Sequence, residues 1–170
     1  MQTPTEKTEI LGLLPDQLKS VLSDMGAPAF RAKQIFRWLH VRRVTDFSEM
    51  TDQSKQFQNE LDSRFCIKRI NIVQKLASHM DDTVKYLYRL SDGNLVEAVR
   101  MVYHHGVTAC ISTQVGCKMG CKFCASAPLG FIRNLTAAEM LGQIYAMDSD
   151  SPEDARISGI VLMGIGEPLD

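Results

Sequence analysis

Three cysteines, Cys117, Cys121 and Cys124, stand at C-x3-C-x2-C spacing in a loop that follows a strand-like run. Three thiolates can hold three irons of a cubic four-iron cluster, which leaves the fourth iron without a protein ligand. A metal position left open is where a substrate can bind and react, whereas a closed one is structural. A structural zinc site is the competing use of such thiols. Zinc sites usually pair C-x2-C knuckles and close with a fourth ligand, and the sequence holds no second knuckle. A disulfide set fits less well, because three neighbouring thiols cannot all pair.

Three further stretches could do chemistry. Gly164-Ile165-Gly166-Glu167-Pro168 follows a second strand-like run. Its glycines would let a ligand come close to the backbone, and Glu167 could take a ligand's ammonium group. By itself G-x-G describes many plain turns; its weight comes from lying beside the cysteine loop. Glu97 falls, by alternation, on one strand face with Leu95, Val99, Met101 and Tyr103. A carboxylate among apolar neighbours loses hydration, which favours its protonated form and suits it to general acid–base work. The plainer reading is a solvated Glu near a hairpin end, on a face that is not the core. Cys110 lies seven residues before Cys117, roughly 20 Å of extended chain. That distance makes it a poor fourth cluster ligand, and a buried strand cysteine is its plain reading.

Positioning these groups requires a particular order of elements. Pro15 and Asp16 open a helix that Gly26 closes, with Leu18, Val21, Leu22 and Met25 on one face. A second helix is expected from about Pro28 to Arg43, with Ala32, Ile35, Phe36 and Leu39 inward and Trp38 either in its core or in an exposed patch. A third begins near Thr51, with Phe57, Leu61 and Phe65 spaced by four. Arg31, Lys33, Arg37, Arg42 and Arg43 lie on the second helix with no acidic residue between Met25 and Thr45. That is either a local phosphate-binding face or an ordinary solvated one. From Cys66 the period becomes two. Ile70 and Ile72 lie in a strand, Val84–Leu90 in another, Ser91-Asp92-Gly93-Asn94 turn the chain, and Leu95–Tyr103 return. Val107–Val115 is β-rich and ends at Gly116. Thr136-Ala137-Ala138-Glu139 has the form of a capping box, followed by a helical stripe of Ala137, Leu141, Ile144 and Tyr145. Ile157–Met163 is a strand of the buried type. Strand, helix, strand is the unit of a parallel sheet, so both the cysteine loop and the glycine loop should leave at its carboxyl edge, where α/β folds place their sites.

Composition sets the frame. The chain has 170 residues, 45% of them hydrophobic, enough for a real core in one domain or two small ones. Net charge is −1, so any nucleic-acid surface must be local. No apolar run is long enough to span a bilayer, and Met1 to Thr8 carries no signal-type apolar region. Five cysteines, an odd number, argue against a disulfide framework; reduced thiols and a cytoplasmic location are the default expectation.

Cys110-Ile111-Ser112-Thr113-Gln114-Val115-Gly116-Cys117, with Cys121 and Cys124, and then Gly130-Phe131-Ile132-Arg133-Asn134-Leu135-Thr136, resembles the RlmN/Cfr family of radical S-adenosylmethionine RNA methyltransferases. Val161-Leu162-Met163-Gly164-Ile165-Gly166-Glu167-Pro168-Leu169 is similar to that family's second motif. Phe30-Arg31-Ala32-Lys33-Gln34-Ile35 and Asp46-Phe47-Ser48-Glu49-Met50-Thr51 are similar to its accessory domain. The resemblance covers essentially the whole chain. Val115 favours the RlmN branch, since Cfr-like members tend to have Cys there.

The resemblance implies an α/β fold. A helical accessory domain (1–66) and a β-hairpin extension (67–102) would lead into the first βαβ unit (103–170) of a partial (β/α)6 barrel. It implies a [4Fe–4S] cluster on Cys117, Cys121 and Cys124. S-adenosylmethionine would chelate the open iron, with Gly166 and Glu167 against its methionine part. In this family one such cofactor methylates a C-terminal cysteine. A second gives a 5′-deoxyadenosyl radical that takes hydrogen from that methyl, and the carbon radical adds to C2 of an adenine. Glu97 aligns with the acceptor of the C2 proton and Cys110 with the cysteine that resolves the protein–RNA adduct through a transient disulfide. The implied substrates are 23S rRNA, in the peptidyl-transferase region, and tRNA, beside the anticodon. A monomer served by an external flavodoxin-type electron donor is also implied. The chain stops at Asp170, after the second core strand; two strands cannot close a barrel, and the methyl-carrying cysteine has no counterpart here, Cys66 lying at the end of the accessory module. A longer enzyme is therefore expected, with these residues lacking full methyl transfer. The alternatives are a zinc-stabilised RNA-binding module without catalysis, a Cfr-like adenine-C8 methyltransferase, and a ferredoxin-like carrier, which normally needs a fourth nearby cysteine.

Overall fold

The structure is a computed structural model that describes residues 7–170. The chain divides into two compact units, one through Arg69 and one from Ile70 onward.

The first unit is helical. β1 (Thr8–Glu9) pairs in parallel with β2 (Phe65–Cys66), so the two ends of the unit are tied together. Between them lie α1 (Pro15–Asp24), α2 (Phe30–Arg37) and α3 (Lys55–Arg64). α1 ends as its sequence dictates. Gly26 takes φ +74, which costs a glycine nothing, and Gly26 N and Ala27 N donate back to Ser23 O and Leu22 O. The second helix is shorter in α form than expected. Past Arg37 it widens into one π turn, Trp38–Arg42, and stops at Arg43, itself left-handed at φ 56. The third helix starts at Lys55 rather than near Thr51. Ser54 is its cap, with Oγ accepting from Phe57 N, and the preceding residues make a 3-10 turn, Phe47–Glu49, capped by Asp46. Leu18, Leu22, Ile35, Leu39, Met50 and Leu61 form the dry centre of this unit.

The second unit is a five-stranded sheet in the order β3-β4-β5-β6-β9: β3 (Asn71–Ala77), β4 (Val84–Arg89), β5 (Leu95–Tyr103), β6 (Gly106–Cys110) and β9 (Ile157–Val161). β3 to β6 run antiparallel in succession, and β9 adds parallel to β6 after the crossover through α4 (Ala137–Asp150). The hairpin strands and the first βαβ unit thus share one sheet. A separate small sheet pairs β7 (Gln114–Gly116) with β8 (Phe131–Asn134).

Three expectations change. Val107–Val115 is not one strand; it breaks at residues 111–113, and the part after the break joins β8 instead. α4 opens on the expected capping box, Thr136 Oγ1 accepting from Glu139 N and Glu139 Oε2 accepting from Thr136 N. Its inward stripe, however, is rotated from the one expected. Ala138, Gly142, Gln143 and Met147 are buried, Met140 and Ile144 pack beside them, and Ala137 is exposed. β9 stops at Val161 and is only half buried, with Ile160, Leu162 and Met163 exposed. Among the described residues it is the last strand of the sheet and pairs on one side only, with β6.

Candidate cluster and cofactor site

The sheet of the second unit has two unlike faces. Tyr86, Tyr88, Val96, Ala98, Ala109 and Ile111 point to one, and Met140, Ile144 and Met147 of α4 close over them. Alternation sends Glu97, Val99 and Met101 to the other, and Cys110, directly opposite Val99 in the ladder, goes with them. Glu97 and Cys110 therefore share the face turned away from the helix, the side that an α/β barrel turns inward. On that face Glu97 is not surrounded by hydrocarbon. Its side chain is 41% exposed, and Oε1 lies 2.8 Å from Nζ of Lys85. Of the two settings the sequence left open, this is the solvated one, since the core lies on the opposite face. Cys110 is half buried, and burial pushes its thiol above the ordinary value, partly offset by a hydrogen bond from the Met163 backbone.

The cysteine loop hangs between β7 and β8. Gly116 sits at φ +71, and a Cβ there would meet Gly130 O at 1.8 Å, so only glycine fits where the two strands pinch together. Cys117 N donates to the same Gly130 O at 2.8 Å, and Cys124 N to Cys121 O at 3.0 Å. Cys117 is half buried, and Cys121 and Cys124 are exposed. Among the described residues no disulfide joins any cysteine, and no three metal-capable side chains converge into a cage. The thiols share a loop without being drawn to one point. Thiolates repel one another, and a cage of them forms together with its cation.

The glycine loop lies alongside. Ile111 N donates to Val161 O, Gly164 N to Ile111 O, and Thr113 N and Gln114 N to Ile165 O. A Cβ at Gly164 would lie 2.7 Å from Ile111 C and Ser112 N, and one at Gly166 2.7 Å from Gln114 N. The first demand on both glycines is thus the close approach of the neighbouring backbone, not of a ligand as expected from sequence. Gln114 joins the parts: its Oε1 accepts from Glu167 N, and its Nε2 donates to Asn134 Oδ1 and Asp170 Oδ2. Lys118 of the cysteine loop reaches Asp170 at 2.6 Å. A pocket of about 190 Å³ opens here, lined by Thr113, Gln114, Asn134, Leu162, Glu167 and Pro168 among others.

The comparisons point to one family. Residues 8–67 match the ribosomal RNA large subunit methyltransferase N-terminal domain. The chain is 52% identical, over its whole length, to 47% of a protein of Lachnoclostridium phytofermentans named "Probable dual-specificity RNA methyltransferase RlmN". It is 44% identical over 95% of its length to 46% of the Clostridium novyi protein of the same name. A crystal structure of a radical SAM methyltransferase from Sphaerobacter thermophilus superposes with a TM-score of 0.85 at 36% identity, covering 95% of this chain and 48% of that one. Over its whole length the chain is similar to RlmN proteins. It spans about half the length of the curated relatives it matches.

The RlmN family and the superposed radical SAM enzyme imply S-adenosylmethionine and a four-iron cluster, and the residues fit both groups. Three unbridged thiols on one loop are the sulfur donors such a cluster takes. In the adjacent pocket Thr113 Oγ1 is buried with no hydrogen-bond partner among the described residues. Leaving it so costs about 1–3 kcal/mol, which a polar group of a bound molecule would relieve. RlmN-type sequence also explains what residue reasoning missed. Ser112, Gln114 and Asn134 lie inside the recognised runs, yet their roles depend on contacts across the sheet. Gln143 had one local signal, a polar residue on the inner stripe of α4.

Proposed function

We propose that the chain is the cluster- and cofactor-binding part of a radical S-adenosylmethionine methyltransferase. Its targets are C2 of an adenine in the peptidyl-transferase region of 23S rRNA and of an adenine beside the anticodon in tRNA. The observation that carries the reading is the loop bearing Cys117, Cys121 and Cys124, pinched at its base beside the Gly164–Pro168 turn at the carboxyl edge of β6 and β9. Cys117, Cys121 and Cys124 would hold the [4Fe–4S] cluster, and Gly166 and Glu167 the methionine part of S-adenosylmethionine. Bound there, these groups supply reductive cleavage of a carbon–sulfur bond and the hydrogen abstraction that follows from it.

The chain's own residues would do the rest. Glu97, oriented by Lys85, accepts the proton leaving C2. Cys110, held as a thiol by burial, is kept in reserve to resolve the adduct. On α2, Lys33 and Arg37 are exposed one turn apart and suit RNA phosphates, while Arg31 and Arg42 lie over Phe57 and Trp38. No helix among the described residues is long and apolar enough to cross a membrane. A cytoplasmic monomer served by a flavodoxin-type donor completes the reading.

Anaerobic reconstitution with iron and sulfide, followed by electron paramagnetic resonance, tests it. The expected result is a four-iron signal that changes on adding S-adenosylmethionine and is lost in each of Cys117→Ser, Cys121→Ser and Cys124→Ser. Tight zinc with no iron signal would replace this reading with a zinc-stabilised RNA-binding module.

A further inference from the structure

Ser112 stands where the strand that carries Cys110 stops being a strand. It is 0% exposed, and all its polar groups are used. Its N–H donates to Gln143 Oε1 at 3.0 Å, and its carbonyl accepts from Gln143 Nε2 at 2.9 Å, so one side chain of α4 satisfies both backbone groups freed by the break. Its hydroxyl donates to Glu97 O at 2.6 Å and accepts from Ile165 N at 2.9 Å.

The ladders explain these partners. β5 and β6 pair with Val99 opposite Cys110, so Ser112 falls opposite Glu97, just past the last paired residue. On the other side the bonds run from Ile111 N to Val161 O and from Gly164 N to Ile111 O. The next donor, Ile165 N, finds the hydroxyl of Ser112 in place of a backbone carbonyl. One oxygen therefore splices two ladders at the point where the backbone leaves the sheet for the cysteine loop.

We infer that Ser112 is a positioning residue whose hydroxyl holds the Glu97 segment and the Gly164–Pro168 turn in one register, so that the proton acceptor and the cofactor-binding turn keep a fixed relation. The inference rests on the reading that Gly166 and Glu167 hold S-adenosylmethionine. Ser112→Ala removes the hydroxyl that serves two part-buried backbone groups, Glu97 C=O and Ile165 N–H, while Gln143 keeps the backbone of residue 112 in place.

The test compares the chain with its Ser112→Ala and Ser112→Thr variants, each reconstituted with its cluster. Three quantities are read: hydrogen exchange at the Ile165 amide, the melting temperature, and S-adenosylmethionine affinity by calorimetry. Ser112→Ala is expected to speed exchange at Ile165 and to weaken cofactor binding about tenfold, because the two part-buried hydrogen bonds of the hydroxyl are lost. Ser112→Thr, which keeps the hydroxyl, is expected to restore both. If Ser112→Ala does not fold, Ser112→Cys, similar in shape but a poorer donor, takes its place. A lower melting temperature with unchanged cofactor affinity would reduce Ser112 to a structural residue and overturn the inference. Fast Ile165 exchange in the unsubstituted chain would overturn it as well. Failure of the unsubstituted chain, cluster in place, to bind the cofactor, with Ile165 still protected, would instead remove the functional reading beneath it and the inference with that reading.

Discussion

Gly166 lies at φ +113, and a Cβ on it would come within 2.7 Å of Gln114 N and of Thr113 Oγ1. Gly120, in the cysteine loop, lies at φ +62 with nothing within 4 Å of the same construction. Both substitutions to alanine force backbone strain, but only one also forces a backbone collision. Gly166→Ala is expected to destabilise the second unit by about 2–4 kcal/mol and Gly120→Ala by about 1 kcal/mol. Urea titration followed by circular dichroism distinguishes the two; equal losses would mean that the packing at residue 166 is not tight. Reading residues in isolation singles out the three cysteines, Gly166 and Glu167 as candidates, because each is a chemical type at a recognisable spacing. It leaves Glu97 between an apolar setting and a solvated one, because alternation identifies the members of a strand face without saying which face the core will take. Only the arrival of α4 on the Tyr86 side settles that.

At the level of elements, Arg133 of β8 ties three pieces of chain together. It reaches Glu139, at the start of α4, through two nitrogens at 2.8 Å each, and Asp92, in the β4–β5 turn, at 2.7 Å. Partial burial pushes both carboxyls upward, yet hydrogen bonds more than offset it. Asp92, bonded by Asn94 and Arg133, is brought down to about 2, and Glu139, bonded by Arg133 and Thr136, falls below its usual value. Depressed carboxyls stabilise the folded state above their unfolded value, near 4, and lose that contribution as pH falls through the folded value. Stability should therefore decline between about pH 4 and pH 2. Arg133→Met should flatten this decline and cost about 1–2 kcal/mol at pH 7, less than a buried ion pair because all three groups are partly exposed. Denaturation series at several pH values would show it; an unchanged slope would mean that other carboxylates govern the acid limb. The capping box at Thr136 was legible because it is local. The strand break at residues 111–113 was not, because the groups that satisfy it come from Gln143 and Gly164–Ile165, far along the chain.

For the molecule as a whole, the hydrophobic period changes near Cys66, a few residues before the division between the helical unit and the sheet unit after Arg69. The continuity of β5 with β6 was not legible, since a turn signal looks the same inside a sheet as between domains. Within the sheet unit, stability is distributed unevenly. Tyr86, Tyr88, Val96 and Ala109 are sealed under α4, whereas residues 117–129 hang outside, joined to the rest through the pinch of Gly116 against Gly130 and the Lys118–Asp170 ion pair. Segments with few buried contacts open on their own, at a small fraction of the global cost. Oxidation of Cys121 or Cys124 should accordingly raise amide exchange in 117–129 and leave the β4 and β5 amides unchanged, a pattern that exchange mass spectrometry resolves. Protection lost across the whole sheet would contradict it. Because the glycine pinch sets residues 117–129 apart from the packed sheet, a chemical change confined to that loop can be made and reversed without unfolding the scaffold that carries it.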